Sequence, residues 1–196
     1  MNQYFEYDAQ QKSDPKRFAY YFGDREFVFE SDAGLFSTGH VDAATELLLQ
    51  HIEPFSGSLL DMGCGWGPVG IILGKIFGLS SVTLADINPK ALHYAKINCG
   101  ANGLTADCIL SDCYQNIEGS FDVIAVNPPI HAGKAVVFAI YEGARTHLSA
   151  GGKLYVVIHK KHGAESSITK LREVFGHCEL LYKKKGVFVL RCENHG

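Results

Sequence analysis

Leu59-Leu-Asp-Met-Gly-Cys-Gly-Trp-Gly-Pro-Val-Gly70 reads as a short apolar strand, a glycine-rich turn and the opening of a helix. Similar apolar runs stand at Ser58–Asp61, Ser81–Asp86, Phe121–Val126 and Lys153–His159, with a weaker one at Ala106–Leu110. Runs of this kind fit strands buried on both faces of a parallel sheet. Helix-period stretches lie between them at 68–77, from Asn88-Pro89 to about Asn98 with closure near Gly100 or Gly103, at 134–148 and at 165–175. The Asn-Pro pair supplies an N-cap and a first-turn proline. Strand and helix in alternation predict a doubly wound α/β sheet. Cys178–Lys184 and Val187–Cys192, joined by Lys185-Gly186, read as an antiparallel hairpin that brings the sheet to seven mostly parallel strands. Arg17–Phe22 and Arg25–Glu30, around Gly23-Asp24, read as a second hairpin, followed by a loop at 31–40 and a helix from about Val41 to His51. With no internal repeat or linker, residues 1–196 are expected to form a single domain, 1–40 being an N-terminal extension and 41–196 the core.

Composition sets the outer bounds. The chain has 196 residues, 46% hydrophobic and 20% charged, which is ordinary for a globular protein and long enough for a core of its own. The apolar runs at 69–79 and 135–140 fall short of the roughly 20 residues of a membrane span, and Met1–Asp8 lacks the pattern of a signal peptide. No C-x-x-C pair occurs among the six cysteines, so free thiols in a reducing cytoplasm are expected, with no metal site. Charge is unevenly spread. Residues 1–130 hold seven Lys and Arg against sixteen Asp and Glu, and residues 131–185 hold ten against four, which suggests a face for an anionic partner.

Gly65, Gly67 and Gly70 carry the G-x-G-x-x-G spacing, and Asp86 ends the second apolar run, so a nicotinamide dinucleotide site is admissible. Two residues oppose it. Pro68 has no N–H to offer a pyrophosphate at the helix start, and the Asp61 carboxylate repels phosphate while suiting an ammonium or sulfonium group. A cationic adenosine ligand without phosphates fits better, and S-adenosylmethionine is such a ligand. Gly63, Gly65 and Gly67 would let it approach the backbone. Asp86 would accept from the ribose hydroxyls and Asp112 from the adenine amino group. The plainer alternatives are that Asp61 and Asp86 cap strand ends, and that Ser111-Asp112 is a turn, with Asp107 a competing carboxylate.

Asn127-Pro-Pro-Ile130 follows the fourth strand directly. The prolines fix the backbone. Pro129 has no N–H to compete for the Pro128 carbonyl, and Asn127 adds a side-chain oxygen. Two neutral acceptors on a rigid turn suit a planar –NH2 group. With Gly34-Leu-Phe-Ser-Thr-Gly-His-Val-Asp42 and Asp61-Met-Gly-Cys-Gly65 in order before it, the chain resembles the class I S-adenosylmethionine-dependent methyltransferases. Over roughly residues 25–193 it is similar to the small-subunit (16S) ribosomal RNA guanine-N2 methyltransferases of the methyltransferase C type. Longer members carry a further N-terminal domain, and their fourth motif residue is an aromatic that stacks on the target base. Here Ile130 offers apolar contact, and Phe36 is an aromatic that could replace the stack or simply pack in the core.

The resemblance implies methyl transfer to guanine N2. Asn127 Oδ1 and the Pro128 carbonyl would accept the amine's N–H groups and turn its lone pair toward the methyl. No general base is required, and His131, one of nine histidines, is read as a bystander. The partner implied is ribosomal RNA or the small subunit, without a membrane. In the usual topology of this fold, Lys183, Lys184 and Lys185 at the hairpin tip lie beside Lys160 and Lys161, and Lys134 follows the Asn-Pro-Pro loop. Such lysines would contact phosphates, or merely protect an edge strand. A protein glutamine amide or DNA adenine as acceptor, and an adenosyl-ligand-binding module without chemistry, remain the competing readings.

Overall fold

The computed structural model describes residues 13–196, so the reading of Met1–Asp8 lies outside the described residues. Two strands, β1 (Lys16–Phe22) and β2 (Arg25–Ser31), form the antiparallel N-terminal hairpin. The main sheet contains β3 (Ser58–Met62), β4 (Ser81–Asp86), β5 (Asp107–Leu110), β6 (Phe121–Val126), β7 (Leu148–His159), β8 (Glu179–Lys184) and β9 (Val187–Glu193). Their order across it is β5-β4-β3-β6-β7-β9-β8. The strands from β3 to β7 are parallel, and β9 runs antiparallel to both β7 and β8. This is the expected doubly wound sheet.

Alternation along each strand splits the core into two layers. Leu59, Val123, Tyr155 and Val189 face one side, with α1 (Ala43–His51), α2 (Pro68–Phe77), α3 (Pro89–Ala101) and the hairpin. Leu60, Ile124, Val156 and Leu190 face the other, with α4 (Lys134–His147) and α5 (Ala164–Phe175). Burial on both faces is why these strands read as unbroken apolar runs. Among the described residues no helix is long and apolar enough to cross a membrane.

Most boundaries agree with the sequence reading, helix α3 closing at Ala101 with Asn102 as cap and Gly103 in the left-handed turn. The start of β7 differs. Strand β7 begins at Leu148, before Gly151-Gly152, because Leu148 pairs with Phe121 across a bulge. The hairpin is fastened to α3 by two side-chain amides that imitate a strand edge. Asn98 Oδ1 accepts from Glu30 N (2.7 Å) while its Nδ2 donates to Glu30 O (2.9 Å), and Asn102 repeats the pattern on Val28 at 3.0 and 2.8 Å.

Between β3 and β6 the winding reverses, with β4 and β5 to one side and β7 to the other. Open α/β sheets bind ligands outside the carboxyl ends of strands at such a switch point. The glycine-rich turn leaves β3 there and the Asn-Pro-Pro loop leaves β6, which brings the two motifs face to face.

Candidate functional site

A cavity of about 520 Å³ opens at this switch point, a volume within the range of small-molecule sites. Asp61, Gly63, Gly65, Asp86, Asp112 and Asn127 all line it. The turn is pinned from outside. Gly63 N and Cys64 N both donate to Ala85 O at 2.8 and 2.9 Å, and Gly65 N donates to Asp86 Oδ2 at 2.8 Å. Gly63, Gly65 and Gly67 all have positive φ, and side chains built at Gly63 and Gly65 would meet nothing within 4 Å. That open space is the cradle an adenosyl ligand requires. Gly67 caps α2 in the left-handed conformation rather than lining the cavity.

Asp61 is 3% exposed and accepts from Gly70 N at 2.9 Å. Burial pushes its carboxyl up to about 7, opposed by the Gly70 N–H and reinforced by the charge of Asp86. Burial also raises Asp86, whose oxygens are held by Gly65 N and Asn88 N. Two carboxylates with raised proton affinity in one cavity, Asp61 buried and Asp86 half-buried, attract a cation, since a bound positive group would offset their desolvation. The donor set fits S-adenosylmethionine and opposes a pyrophosphate. Asp112 is exposed at the rim, whereas Asp107 opens β5 away from the cavity lining.

On the opposite wall, Asn127 Nδ2 donates to Thr45 Oγ1 at 3.1 Å, leaving Oδ1 for the cavity. The Pro128 carbonyl differs from the sequence reading. Pro129 indeed has no N–H, but Ile130 N reaches back to Pro128 O at 2.8 Å. Pro129, at φ −74° and ψ 78°, is the centre of an inverse γ-turn. The carbonyl therefore keeps one lone pair for an incoming donor rather than two.

Phe36 does not pack in the core. It is 63% exposed at the cavity mouth, with its carbonyl held by Trp66 Nε1 at 2.9 Å. Ile130 lies in the lining, and so do His131, His159 and His162. Burial and then the nearby Lys161 lower the proton affinity of His162. Lys160, Lys161 and Lys185 share a shallow depression with His159 and Gly186, where Lys160 N bonds Gly186 O at 2.7 Å. The other three lysines are placed differently. Lys134 lies over the Phe138 ring and Lys183 over Phe188, and Lys184 is exposed near the end of β8.

Sequence reasoning missed Thr45, Trp66 and Asn98. The helix expected from about Val41 starts at Ala43 with Asp42 as its N-cap, Asp42 Oδ1 accepting from Ala44 N and Thr45 N. Nothing local signals that Thr45 also meets Asn127. Asn98, fully buried, donates to Trp66 O at 2.8 Å besides holding the hairpin.

The chain is similar to several known proteins. The protein YbxB of Bacillus subtilis, described as uncharacterized, is 38% identical over 187 residues, 93% of each chain. The ribosomal RNA small subunit methyltransferase C of Aeromonas hydrophila is 37% identical over 139 residues, 69% of this chain and 41% of that one. The chain thus spans less than half the length of that relative. Among solved structures, the 16S rRNA guanine-N2 methyltransferase of T. thermophilus, in complex with AdoMet and guanosine, superposes with a TM-score of 0.82 at 27% identity, over 92% of this chain and 50% of its own. The Methyltransferase small domain matches residues 26–191. This match begins in the second strand of the hairpin and ends in the last strand of the sheet, so the chain belongs to the methyltransferase small domain family.

Proposed function

We propose that the protein methylates the exocyclic N2 amine of a guanine in small-subunit ribosomal RNA, using S-adenosylmethionine, in the cytoplasm. The observation that carries this reading is the facing pair of walls in one cavity. Asp61 and Asp86 with the glycine-rich turn suit a cationic adenosyl ligand, and Asn127 with Pro128 offers neutral oxygens to an amine.

S-adenosylmethionine supplies, when bound, a methyl group on a positively charged sulfur. The protein's residues do the rest. Asp86 and Asp112 take the ribose and adenine edges, and Asp61 contributes negative charge behind the glycine turn. Asn127 Oδ1 and the remaining lone pair of Pro128 O accept the two N–H groups of the guanine amine. An aniline-like amine is a poor nucleophile because its lone pair is delocalised into the ring. Holding both protons out of the ring plane turns that lone pair toward the methyl. Nitrogen gains the methyl as the sulfur–methyl bond breaks and its electron pair stays on sulfur as a neutral thioether; the positive charge on nitrogen is stabilised by the same two oxygens, and the now acidic proton leaves to water. Positioning and charge stabilisation thus account for the rate.

A base paired in a duplex cannot enter this cavity, so the target must be unpaired or flipped out. Phe36 offers the stacking face that Ile130 lacks, and Lys160, Lys161 and Lys185 offer charge to the flanking phosphates. The small-subunit methyltransferase C of Aeromonas hydrophila supports ribosomal RNA as the substrate, and the T. thermophilus enzyme supports guanine N2.

Incubating labelled S-adenosylmethionine with small subunits from a strain lacking the protein should label N2 of guanine, and Asn127→Ala should abolish it. An adenine amine or a glutamine amide presents the same two N–H groups, so DNA and a release factor serve as parallel substrates. Label in either of them, with none in RNA, would overturn the assignment.

A further inference from the structure

Asn127 is an amide, and an amide placed at an acceptor site has two orientations of equal shape. One presents Oδ1 to the cavity and can hold an amine. The other presents Nδ2 and repels it. Something must choose between them, and the choice is visible two residues away. Asp42 Oδ2 lies 2.6 Å from Thr45 Oγ1, and Thr45 Oγ1 lies 3.1 Å from Asn127 Nδ2. An ionised carboxylate only accepts hydrogen bonds. The Thr45 hydroxyl must therefore give its one proton to Asp42, and its lone pairs are left to accept. Only the –NH2 end of Asn127 can satisfy them.

We propose that Asp42 and Thr45 are positioning residues that fix the polarity of Asn127, so that Oδ1 always faces the incoming amine. The inference rests on the methyltransferase reading above and goes beyond it: both residues line the cavity, and they act on the amine through Asn127. The relay joins the start of α1 to the loop after β6, 82 residues further along the chain. It also gives Asp42 two separable tasks, one on each oxygen. Oδ1 caps the helix through Ala44 N (3.0 Å) and Thr45 N (3.1 Å), and Oδ2 orders the relay.

That separation provides the test. Asparagine caps a helix as well as aspartate does. In Asp42→Asn the two backbone N–H groups require the oxygen at the cap, which leaves the –NH2 in place of Oδ2. Thr45 then accepts from residue 42 and donates to Asn127, reversing the amide. The fold survives while the polarity inverts. Thr45→Val removes the hydroxyl at nearly constant shape, and Thr45→Ser retains it.

Side-chain amide spectra of the free protein, with the Asn127 pair identified by Asn127→Asp, are read first and need no substrate. The Asn127 amide protons should exchange slowly in the parent protein and at the rate of an exposed amide in Thr45→Val. Equal exchange in the two proteins would overturn the relay. Turnover on small subunits is read second. Asp42→Asn and Thr45→Val should lower kcat about 100-fold, the scale for losing one preorganised polar contact. KM, cofactor Kd and melting temperature should stay near parental values, and Thr45→Ser should restore kcat. If the parent is active and Asn127→Ala is not, yet Asp42→Asn and Thr45→Val turn over at full rate, the relay is wrong and the function stands. If the parent labels no substrate, the function is wrong, and the exchange measurement alone decides the relay.

Discussion

The indole nitrogen of Trp66 donates to the carbonyl oxygen of Phe36 at 2.9 Å, strapping an exposed aromatic side chain to the glycine-rich turn. Trp66 is itself clamped edge-on by Phe18 and Phe29, with ring centroids 5.6 and 5.0 Å away. The position of Phe36 is therefore set from beneath, through Trp66 and two rings, Phe18 and Phe29, that do not line the cavity.

Removing that strap should loosen the mouth without touching the chemistry. Trp66→Phe keeps an aromatic ring but has no donor, and should cost about 1 kcal/mol of stability for the lost hydrogen bond. Steady-state kinetics should show KM for RNA rising several-fold at nearly constant kcat. Phe36→Ala should raise that KM about tenfold or more, as expected for a lost stacking contact of about 1–3 kcal/mol. Cofactor Kd should be unchanged in Phe36→Ala, and a Kd that moved with KM would place Phe36 on the adenosyl side instead.

Asp61 gives the free protein a pH dependence. Its folded carboxyl is raised from 3.8 to about 7, so between those values the folded state binds more protons than the unfolded state. Stability must then fall as pH rises through this window, by at most about 1.4 kcal/mol per pH unit from this group. Thermal melts from pH 4.5 to 7.5 should show that slope, flattened in Asp61→Asn. Affinity for the cationic ligand runs the opposite way, since only the ionised carboxylate attracts it, so calorimetric Kd should tighten over the same range. A variant with the parental slope would assign the effect to another group.

Gly70 marks where α2 presses on the sheet. A methyl group there would be driven into Leu84 Cδ2 and would sit 3.2 Å from Asp61 Cβ. Gly70→Ala should destabilise the protein by about 1–3 kcal/mol through overpacking and weaken cofactor binding by displacing Asp61. Denaturant melts and ligand titration together test both effects.

Only some of the basic residues meet at the rim. Neutralising Lys160, Lys161 and Lys185 together should reduce the slope of log Kd for RNA against log salt by about 2, at roughly 0.7 per phosphate contact, with kcat preserved at saturation. Lys134→Gln should leave that slope close to parental, because its ammonium lies over the Phe138 ring, 5.0 Å from the centroid.

Much of this was legible in the sequence because it is local. The strand-turn-helix around Asp61, the cap at Asn88, the first-turn proline at Pro68 and the Asn-Pro-Pro loop are each written within a dozen residues. The parallel order follows from their alternation. What stayed hidden depends on contacts distant in sequence. Thr45 meets Asn127 and Asn98 meets Glu30 across 82 and 68 residues, and no periodicity records such pairs. The Pro128 carbonyl illustrates a different limit. Its missing competitor at Pro129 was correctly read, but the next N–H, that of Ile130, folds back through ψ of Pro129, an angle the proline ring does not fix.

The Asn98 amide has a consequence for the N-terminal hairpin. One fully buried side chain bonds Glu30 on the hairpin and Trp66 in the glycine turn, so the hairpin acts as a splint. Without the hairpin, Asn98 would lose both of its bonds to Glu30 and keep its bond to Trp66 O from an amide opened to water. The hairpin, Lys16–Ser31, lies outside the cavity lining and still bears on it through Asn98 and Trp66.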